Sequence, residues 1–496
     1  MASKKKIDVI PKSVLSGKKR DVKEVQHLIS SWGCHELEVQ ESPLGGLGCF
    51  AGKDYEAQDY VARDISPAAD VMDMNLGNRV CCKCYSVIRN PRGPRGCERC
   101  GKQSYCDKFC STEDSQHLLE CDLLDALERR VKAKPTRSVL LLARCLLARQ
   151  SILKRSDDND DDDDEGNNAN FIDYLINHKD KYSKEDKESR VGLSTMAGSF
   201  LTKKPINQVL QSEIDVLYDA LCSINCNAFT IIDCVSGVLL GTGLYPGLTF
   251  INHSCDPNLQ VTQIGKILTL KAVRPIKKGE EFTISYIDRT EGAIQRNEEL
   301  METFFFECQC HKCASVRSEK RNDFYFVCKD PSCKGRVDFY DQENLSVDAK
   351  CMVCSKGFDD HGYALNGIRK SIHDDLMKII QECYKSQRLN IAKLLPVTDR
   401  LFQYIHYGDS ATNQLIKDIL IFYEEKKPAP KATPEETEMI KKLILRVYQF
   451  YKHHFGESHP DTAKAKSNYL ISIGKLDEAK PLQESYVLIL NSSTLI

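Results

Sequence analysis

The segment from Ile251 to Asn258, with the sequence INHSCDPN, carries an unusual concentration of side chains that can bind a ligand. It follows the apolar residues Leu248 and Phe250, so several donors and acceptors lie at the edge of a core. Buried polar groups must find partners. The segment therefore indicates a cofactor-binding element, or alternatively a turn rich in asparagine and aspartate with a structural cysteine.

Four further segments carry side chains suited to the same chemistry. Residues 280–286 (EEFTISY) alternate as a strand and end at Tyr286, and residues 306–313 (FECQCHKC) contain three closely spaced cysteines. Upstream lie the glycine pair of Gly46 and Gly48 and the segment 226–229 (CNAF). A single glycine pair is weak, but four such segments in this order are a specific signal. For Tyr286 alone, the structural alternative is a tyrosine that caps a strand.

Cysteine spacing predicts metal sites. The chain has 23 cysteines among 496 residues and shows no secretory apolar segment, so we expect metal binding in a reducing compartment rather than disulfides. Four close pairs within about forty residues supply enough ligands for two tetrahedral zinc ions. These ligands are Cys81, Cys84, Cys97, Cys100, Cys106, Cys110, His117 and Cys121. Cys82 is adjacent to Cys81 and is an alternative ligand, although Cys81 keeps the two-residue spacer.

A second group of cysteines has the spacing of a zinc ribbon. Its members are Cys328, Cys333, Cys351 and Cys354. They are expected to hold a further zinc ion, and the alternative is four unligated thiols in a loop-rich segment. Of the remaining cysteines, most are flanked by apolar residues and are expected to be buried small hydrophobic residues.

In order and spacing, these motifs resemble the SET and MYND domain (SMYD) family of protein-lysine methyltransferases over residues 35–360. The resemblance implies a cross-braced finger, with Cys81, Cys84, Cys106 and Cys110 on one zinc ion and the other four finger ligands on a second. It implies a third zinc ion on Cys255, Cys308, Cys310 and Cys313. It also implies an S-adenosylmethionine cofactor and a reaction in which methyl groups pass to lysine side chains of histone or non-histone proteins.

The resemblance assigns roles to individual residues. Tyr286 matches the catalytic tyrosine at the mouth of the lysine channel. The cofactor-binding positions match Gly46, Leu47, Gly48, Asn227, Asn252, His253 and Phe306. Tyr245, Phe304 and Phe305 are candidates for the channel walls, for which core packing is an equal explanation. Such a channel would lower the pKa of a substrate lysine below about 10.4, because a dry aromatic site next to a sulfonium charge disfavours the ammonium.

Two positions depart from the family pattern. Leu47 stands where many relatives have a polar residue, which would weaken cofactor binding, and Asp114 stands where the finger usually has a tryptophan for proline-rich ligands. The second functional hypothesis is accordingly a catalytically weak zinc scaffold or transcriptional corepressor, which recruits corepressor or chaperone partners through the finger and the helical C-terminal region.

The predicted architecture is an α+β fold. A SET-domain β-fold is split by a MYND zinc finger and a helical insert, and is followed by a zinc-binding post-SET segment and an all-α C-terminal domain. The expected boundaries are a basic tail at 1–33, the first SET part at 34–80, the finger at 81–121, the insert at 122–225 with a disordered acidic loop at 156–168, the core SET part at 226–290, the post-SET segment at 291–360 and a tetratricopeptide-like domain at 361–496.

Charge and composition bound the partners. Lys plus Arg (69) nearly balances Asp plus Glu (71), so no global field favours nucleic acid or a membrane surface. The basic finger residues Arg92, Arg95, Arg99 and Lys102 could contact DNA, but fingers of this spacing present no recognition helix, so direct DNA binding is not expected. The basic clusters at 4–6 and 18–20 are either a nuclear signal or a basic tail. We expect the protein in the nucleus and the cytoplasm, with no membrane partner.

Overall fold

The computed structural model describes most of the chain. The described residues are 8–13, 20–88, 95–131, 135–158, 171–232, 239–318, 325–333, 335–338, 350–357, 362–386, 389–425, 433–457 and 459–482. Several sequence-based expectations fall outside these ranges. They concern the basic residues at 4–6, 18 and 19, Arg92, the acidic run at 159–165, Cys234 and the proline- and lysine-rich break at 426–430.

Helices dominate the second half of the chain and the insert. Within the described residues the α-helices are α1 (Val22–Ser31), α2 (Lys108–Thr112), α3 (Ser115–Val131), α4 (Arg137–Asp158), α5 (Lys184–Thr202), α6 (Gln211–Asn227), α7 (Ala293–Thr303), α8 (His311–Ser318), α9 (Gly362–Ser386), α10 (Ile391–Tyr404), α11 (Ser410–Glu425), α12 (Pro434–Phe455) and α13 (Pro460–Ser472). Short 3-10 turns occur at Met74–Arg79, Phe171–Tyr174, Lys179–Lys181, Ile206–Gln208 and Pro246–Leu248. No described helix is both long and apolar enough to cross a lipid bilayer.

The strands are short and lie mostly in the region before residue 290. They are β1 (Leu37–Glu41), β2 (Leu47–Ala51), β3 (Tyr60–Ile65), β4 (Ala69–Met72), β5 (Arg95–Gly96), β6 (Ser104–Tyr105), β7 (Ala228–Ile232), β8 (Leu239–Leu244), β9 (Asn252–His253), β10 (Leu259–Ile264), β11 (Ile267–Ala272), β12 (Glu281–Ile284), β13 (Tyr325–Val327) and β14 (Arg336–Asp338).

Small sheets bring distant segments together. The strand orders are β1-β2-β12-β9, β10-β11-β3 and β4-β8-β7, with β5-β6 and β13-β14 as separate hairpins. Strand β12 runs parallel to β9, with Thr283 opposite Asn252 and Ile284 opposite His253. The strand that was expected to end at Tyr286 ends at Ile284. The pairing places the Asn-His pair beside the segment that carries Tyr286.

Two apolar cores hold the chain together. The first combines the sheets with residues of α4, α5 and α6, among them Leu142, Phe200 and Leu221, all fully buried. The second combines the C-terminal helices with Phe326 and Val337 of the β13-β14 hairpin. The segment that contains the ribbon cysteines therefore packs on the C-terminal helices. The predicted α+β class with a helical C-terminal region is confirmed.

Helix α3, which begins within the finger, buries fewer of its leucine side chains than the sequence pattern predicts. Leu123 and Leu124 of α3 are buried, whereas Leu118 and Leu119 are 52% and 42% exposed. A polar junction supplements the packing at this point. Arg144 of α4 donates to both carboxylate oxygens of Glu120 on α3, at 2.8 and 2.6 Å, and to the main-chain carbonyl of Asp70 on β4.

Candidate active site and metal centres

Tyr286 lies in a chain segment that follows β12 and packs against β9. Its main-chain N–H donates to Nδ1 of His253 at 3.0 Å, and its hydroxyl donates to the carbonyl oxygen of Ile251 at 2.7 Å. Burial raises the pKa of the Tyr286 hydroxyl, so the group stays protonated at neutral pH. The first hydrogen bond holds the main chain of Tyr286, and the second fixes the direction of its hydroxyl group.

Aromatic rings surround Tyr286. The ring of Phe304 lies 5.0 Å from it, that of His253 5.3 Å and that of Phe306 6.4 Å, measured between ring centroids. The His253 and Phe306 rings are 5.9 Å apart. Separations of 4.5–7 Å are typical of favourable aromatic pairs. The arrangement gives a rigid, weakly polar frame around one hydroxyl group.

A cavity of about 690 Å³ opens next to Tyr286. Its lining includes Tyr286, Phe304 and Asn227, together with Glu299 and Arg190. This volume falls within the range of small-molecule sites, and the lining combines aromatic and aliphatic side chains with many polar and charged ones. Asn252 and His253 lie around Tyr286 but do not line this cavity, so the predicted cofactor residues are divided between its wall and the region behind the tyrosine.

The two predicted asparagines are held in the same way. Nδ2 of Asn227 donates to the carbonyl oxygens of Ser223 and Ile176, at 2.7 and 3.0 Å. Nδ2 of Asn252 donates to the carbonyl oxygen of Leu47 at 3.1 Å and to Oε1 of Glu281 at 2.8 Å. Both amide hydrogens of each asparagine are donated to oxygen atoms of the protein. Each Oδ1 therefore remains available to accept a hydrogen bond from a ligand. Two fixed acceptors suit a ligand with an ammonium group.

His253 is buried and neutral. Burial lowers the pKa of its imidazole to about 4. Because Nδ1 accepts from Tyr286, the ring proton lies on Nε2, which is 3.3 Å from Sγ of Cys255. Both ring nitrogens are thus engaged within the protein. Any contact between His253 and a cofactor is left to the ring face or the main chain.

The glycine loop is a tight turn between β1 and β2. Gly46 has a φ of 69°, and its carbonyl accepts from the main-chain N–H of Ser42 at 2.9 Å. Gly48 faces Glu281, whose Oε1 would overlap any Cβ at that position. The Leu47 side chain is only 9% exposed and belongs to the first core. Leu47 therefore contributes its main chain to this region.

The candidate wall residues occupy different places. Phe304 lines the cavity. Tyr245 is fully buried, and its hydroxyl donates to the carbonyl oxygen of Lys266 at 2.6 Å. Its side chain therefore packs in the first core rather than lining the cavity. Phe305, with a φ of 60°, turns its ring towards His178 and Tyr182 at 5.4 and 5.0 Å.

The finger ligands form two clusters with the predicted cross-braced partition. Cys81, Cys84, Cys106 and Cys110 form one group, and Cys97, Cys100, His117 and Cys121 form the other. Within each group all ligand atoms lie within 4.8 Å of one another. A tetrahedral zinc ion with Zn–S bonds of about 2.3 Å needs sulfur atoms about 3.8 Å apart. The Cys84–Cys106 and Cys97–Cys121 sulfur separations are both 3.8 Å, so both clusters fit zinc.

Two further clusters of four cysteines lie outside the finger. Cys255, Cys308, Cys310 and Cys313 form one, and Cys328, Cys333, Cys351 and Cys354 form the other. In the first, the sulfur of Cys255 lies 3.8 Å from Cys308 and 3.5 Å from Cys313. In the second, two sulfur pairs are each 3.6 Å apart. Their geometry is compatible with one zinc ion each.

Cysteines outside these clusters are mostly buried. Cys82 is 9% exposed and is not part of any cluster, so the geometry favours Cys81 as the ligand of the adjacent pair. Cys34, Cys49, Cys145, Cys222 and Cys383 are also buried, and Cys226 is partly buried. This agrees with the expectation of small hydrophobic residues.

Asp114 has a structural place in the finger. Its Oδ1 accepts from the main-chain N–H of His117 at 3.2 Å, and its Oδ2 accepts from the hydroxyl of Tyr105 at 3.1 Å. The carboxylate is 6% exposed and stands at the start of α3. The residue that replaces the usual tryptophan is therefore a buried helix cap that joins β6 to the ligand His117.

Sequence reasoning missed several residues of the site. Glu281 contacts Asn252, and Glu299, Arg190 and Tyr182 line the cavity. The only sequence signal for Glu281 was its place at the start of the strand before Tyr286. Tyr182 and Arg190 lie on the insert, and Glu299 lies on α7 between the EEFTISY and FECQCHKC segments. The packing of these parts of the chain brings the three side chains to one cavity.

Comparisons with known proteins agree with this geometry. The SET domain family matches residues 46–287. The chain is 30% identical to a SET and MYND domain-containing protein of Dictyostelium discoideum over 326 residues, and 30% identical to N-lysine methyltransferase SMYD2 of Homo sapiens over 293 residues. Each alignment covers 58% of this chain, but only 61% and 62% of those proteins. The chain thus matches about three fifths of their length.

A longer alignment has slightly lower identity. The chain is 29% identical to histone-lysine N-methyltransferase SMYD1 of Homo sapiens over 404 residues, which is 76% of this chain and 74% of that protein. A solved structure of the SET domain of LSMT bound to lysine and AdoHcy aligns at 12% identity and a TM-score of 0.28, too distant to bear on the site. Residues 46–287 of this chain thus match the SET domain, and the chain is similar to SET and MYND domain-containing proteins.

Proposed function

We propose that this protein is an S-adenosylmethionine-dependent protein-lysine methyltransferase with Tyr286 as the catalytic residue. The observation that carries the proposal is the Tyr286 hydroxyl, held by the Ile251 carbonyl at 2.7 Å at the wall of a cavity of about 690 Å³. The names of the relatives SMYD1 and SMYD2, which describe lysine methyltransferases, support the same activity.

The cofactor residues would act mainly through main-chain groups and two amides. Asn227 and Asn252 each have a free Oδ1 that can accept from the amino group of the cofactor, and Phe306 offers a ring for its base. Gly46 and Gly48 let the main chain approach the ligand, because glycine has no Cβ. S-adenosylmethionine, when bound, supplies an electrophilic methyl group.

The residues around Tyr286 would prepare the lysine. The Tyr286 hydroxyl donates its proton to Ile251, so its oxygen can accept a hydrogen bond from the substrate amine. A channel lined by Phe304 and Tyr286 excludes water and disfavours the ammonium form. The chain then needs to align a neutral amine rather than to provide a strong base.

Protein substrates enter this proposal as a class. We infer lysine side chains of histone or non-histone proteins, because a narrow aromatic frame suits a long unbranched amine. Glu299 and Glu302 line the same cavity and would attract a cationic side chain. We also infer zinc at the four clusters, where it would fix the finger, the post-SET segment and the ribbon.

The basic clusters at 4–6 and 18–20 and the number of thiol ligands support a place in the nucleus and cytoplasm. We also propose that the domains have the boundaries expected from the sequence.

The first experiment is calorimetric titration of the zinc-loaded protein with S-adenosylmethionine. Micromolar binding by the wild type, weakened at least about tenfold in Asn252→Ala and kept in Asn390→Ser, is the expected result. Asn390 caps α10, far from the site, and serine preserves such a cap. Transfer of labelled methyl groups to histone lysines then tests the reaction. A folded, zinc-loaded protein that binds no cofactor would refute the proposal and favour the scaffold hypothesis.

A further inference from the structure

Glu281 is a carboxylate that lies between two motifs which the sequence treats as separate. It is the first residue of β12 and pairs with Phe50 of β2 in the sheet register. Its Oε1 accepts from Nδ2 of Asn252 at 2.8 Å. Both of its carboxylate oxygens lie within hydrogen-bond distance of the Ser42 hydroxyl, at 2.8 and 2.9 Å. These partners are neutral donors, so the contacts are charge-assisted hydrogen bonds rather than ion pairs.

The contact with Asn252 decides which way that amide points. The terminal torsion of an asparagine is broad and roughly two-fold, so the amide orientation depends on its hydrogen-bond partners. Leu47 offers a carbonyl oxygen to Nδ2 at 3.1 Å, and Glu281 offers a charged acceptor at 2.8 Å. Without the carboxylate, one amide hydrogen loses its partner and the preference for the observed orientation weakens.

The contact with Ser42 ties the same carboxylate to the glycine loop. The main-chain N–H of Ser42 donates to the carbonyl of Gly46 at 2.9 Å, and the Ser42 hydroxyl accepts from the N–H of Leu44 at 3.0 Å. Gly48 passes so close to Glu281 that a Cβ there would overlap Oε1 and lie 3.1 Å from Nδ2 of Asn252. The carboxylate therefore contacts the loop at both ends.

We propose that Glu281 is a positioning residue of the cofactor site, which orients Oδ1 of Asn252 towards the ligand and fixes the Ser42–Gly48 turn. This inference rests on the proposed function. Glu281 need not touch the cofactor, since it acts through Asn252 and the turn. Glutamine at this position has nearly the same size and keeps Oε1, the atom that accepts from both Asn252 and Ser42, but it removes the charge and replaces the second oxygen by a donor. It therefore separates the charge-assisted hydrogen bonds from bulk.

A double-mutant cycle tests the inference. Affinity for S-adenosylhomocysteine is measured by calorimetry for the wild type, Glu281→Gln, Asn252→Ala and the double variant, with zinc content and thermal midpoint as checks of folding. We expect Glu281→Gln to weaken binding about tenfold or more. Because Glu281 acts in part through Asn252, the loss of binding free energy in the double variant should be smaller than the sum of the two single losses.

A neighbouring carboxylate provides the matched control. Glu280 accepts from Nδ2 of Asn258 at 3.1 Å and pairs with Arg274 at 2.7 Å, away from the glycine loop. Glu280→Gln should leave cofactor affinity unchanged. Ser42→Ala removes the other donor to Glu281 and should weaken binding severalfold; it replaces Glu281→Gln in the test if that variant does not fold.

The outcomes separate the two proposals. If the wild type binds S-adenosylhomocysteine and Glu281→Gln binds within twofold of it, the positioning role is refuted while the proposed function stands. Fully additive losses in the double variant would also overturn it, because they would show that Glu281 acts independently of Asn252. If the folded wild type does not bind, the proposed function itself fails.

Discussion

The hydroxyl group of Tyr286 has a defined direction because its proton is committed to the carbonyl oxygen of Ile251, 2.7 Å away. His253 supports the same residue from the other side, by accepting from its main-chain N–H. Tyr286 lines the cavity, and the hydroxyl oxygen is the atom by which it differs from phenylalanine. Its loss removes a hydrogen-bonding group without changing the packing of the ring.

Tyr286→Phe should therefore reduce methyl transfer by about 10²-fold or more, as losses of fixed transition-state hydrogen bonds do. Cofactor affinity should change less than about threefold, since the ring still packs against Phe304 and Phe306. Single-turnover rates and calorimetry measure the two quantities separately. Tyr245→Phe is the control, because that buried hydroxyl bonds to Lys266 in the core. Equal activity of wild type and Tyr286→Phe would exclude a catalytic hydroxyl.

The adjacent thiols of Cys81 and Cys82 provide a second test at the residue scale. Only Cys81 belongs to a cluster of four ligand atoms, although both side chains are buried. Cys81→Ser should lower the zinc content by about one ion per chain, since a hydroxyl is a poor zinc ligand compared with a thiolate. Cys82→Ala should keep the full content. Plasma emission spectroscopy of the purified variants measures both, and the reverse result would assign Cys82 as the ligand.

At the scale of elements, the finger is joined to the SET fold by a buried polar junction. Glu120 on α3 is fully buried and lies between Arg144 of α4 and Nδ1 of His117, which is 3.6 Å away. Burial alone favours the neutral acid, but Arg144 outweighs it and lowers the pKa of the Glu120 carboxyl. The Arg144 guanidinium also contacts Asp70, which pairs with Lys266 at 2.9 Å. Polar contacts thus connect the finger ligand His117, through Glu120 and Arg144, to Asp70 on β4.

Arg144→Met should destabilise the protein by about 3–5 kcal/mol, because it leaves the Glu120 carboxylate buried without its cation. A fall in the thermal midpoint of at least about 5 °C is expected. Adding Glu120→Leu should restore part of the loss, since two apolar residues can replace a buried ion pair. Lys184→Ala is the surface control, as its pair with Glu188 is exposed on both sides. Equal thermal midpoints for Arg144→Met and Lys184→Ala would show that the junction does not stabilise the protein.

At the scale of the whole molecule, the C-terminal helices contact the segment that follows Tyr286. Arg289 donates to Nε2 of His459 at 2.7 Å and lies over the ring of Phe455 at 4.4 Å. A second buried imidazole, that of His406, packs against the ring of His453 in the same helical region, and the main-chain carbonyl of His406 accepts from Arg446 at 2.8 Å. Burial lowers the pKa of His406 to about 3 and that of His459 to about 4. The contact between Arg289 and Nε2 of His459 requires a neutral ring.

These lowered pKa values predict a loss of stability in acid. The unfolded histidines titrate near 6.5, so below that pH the unfolded state binds more protons than the folded state. The stabilisation is complete above about pH 6.5 and falls as the pH drops towards 4, by on the order of a few kcal/mol. Thermal midpoints between pH 7.5 and 5, with bound zinc measured in parallel, follow this change.

His459→Gln separates the histidine effect from acid release of zinc. Glutamine can accept from Arg289 but does not titrate, so the midpoint of this variant should depend less steeply on pH than that of the wild type. His373→Gln is the control, because His373 is a more exposed histidine on α9. Parallel pH curves for all three proteins would contradict a role for His459 in acid stability.

The metal ligands and the main elements were largely predictable from the sequence, because they depend on local patterns. Zinc ligands come in pairs of fixed spacing, and the INHSCDPN and EEFTISY segments have recognisable composition. The eight finger ligands, the four ribbon cysteines and the helical C-terminal region follow from such patterns, whereas the cross-braced partition and the set of Cys255, Cys308, Cys310 and Cys313 came from the family resemblance. The one ambiguous pair, Cys81 and Cys82, needed the position of each sulfur atom.

Contacts between distant segments were decided only by tertiary structure. Glu281 contacts Ser42 across 239 positions, Arg289 contacts His459 across 170, and Tyr245 faces the core rather than the cavity. Nothing in the residues flanking these side chains encodes their partners, since each contact depends on how sheets and helices pack. The sequence by itself determined which groups can bind metal or ligand, and packing decided which of them meet, because a hydrogen bond requires two groups within about 3 Å in the folded chain.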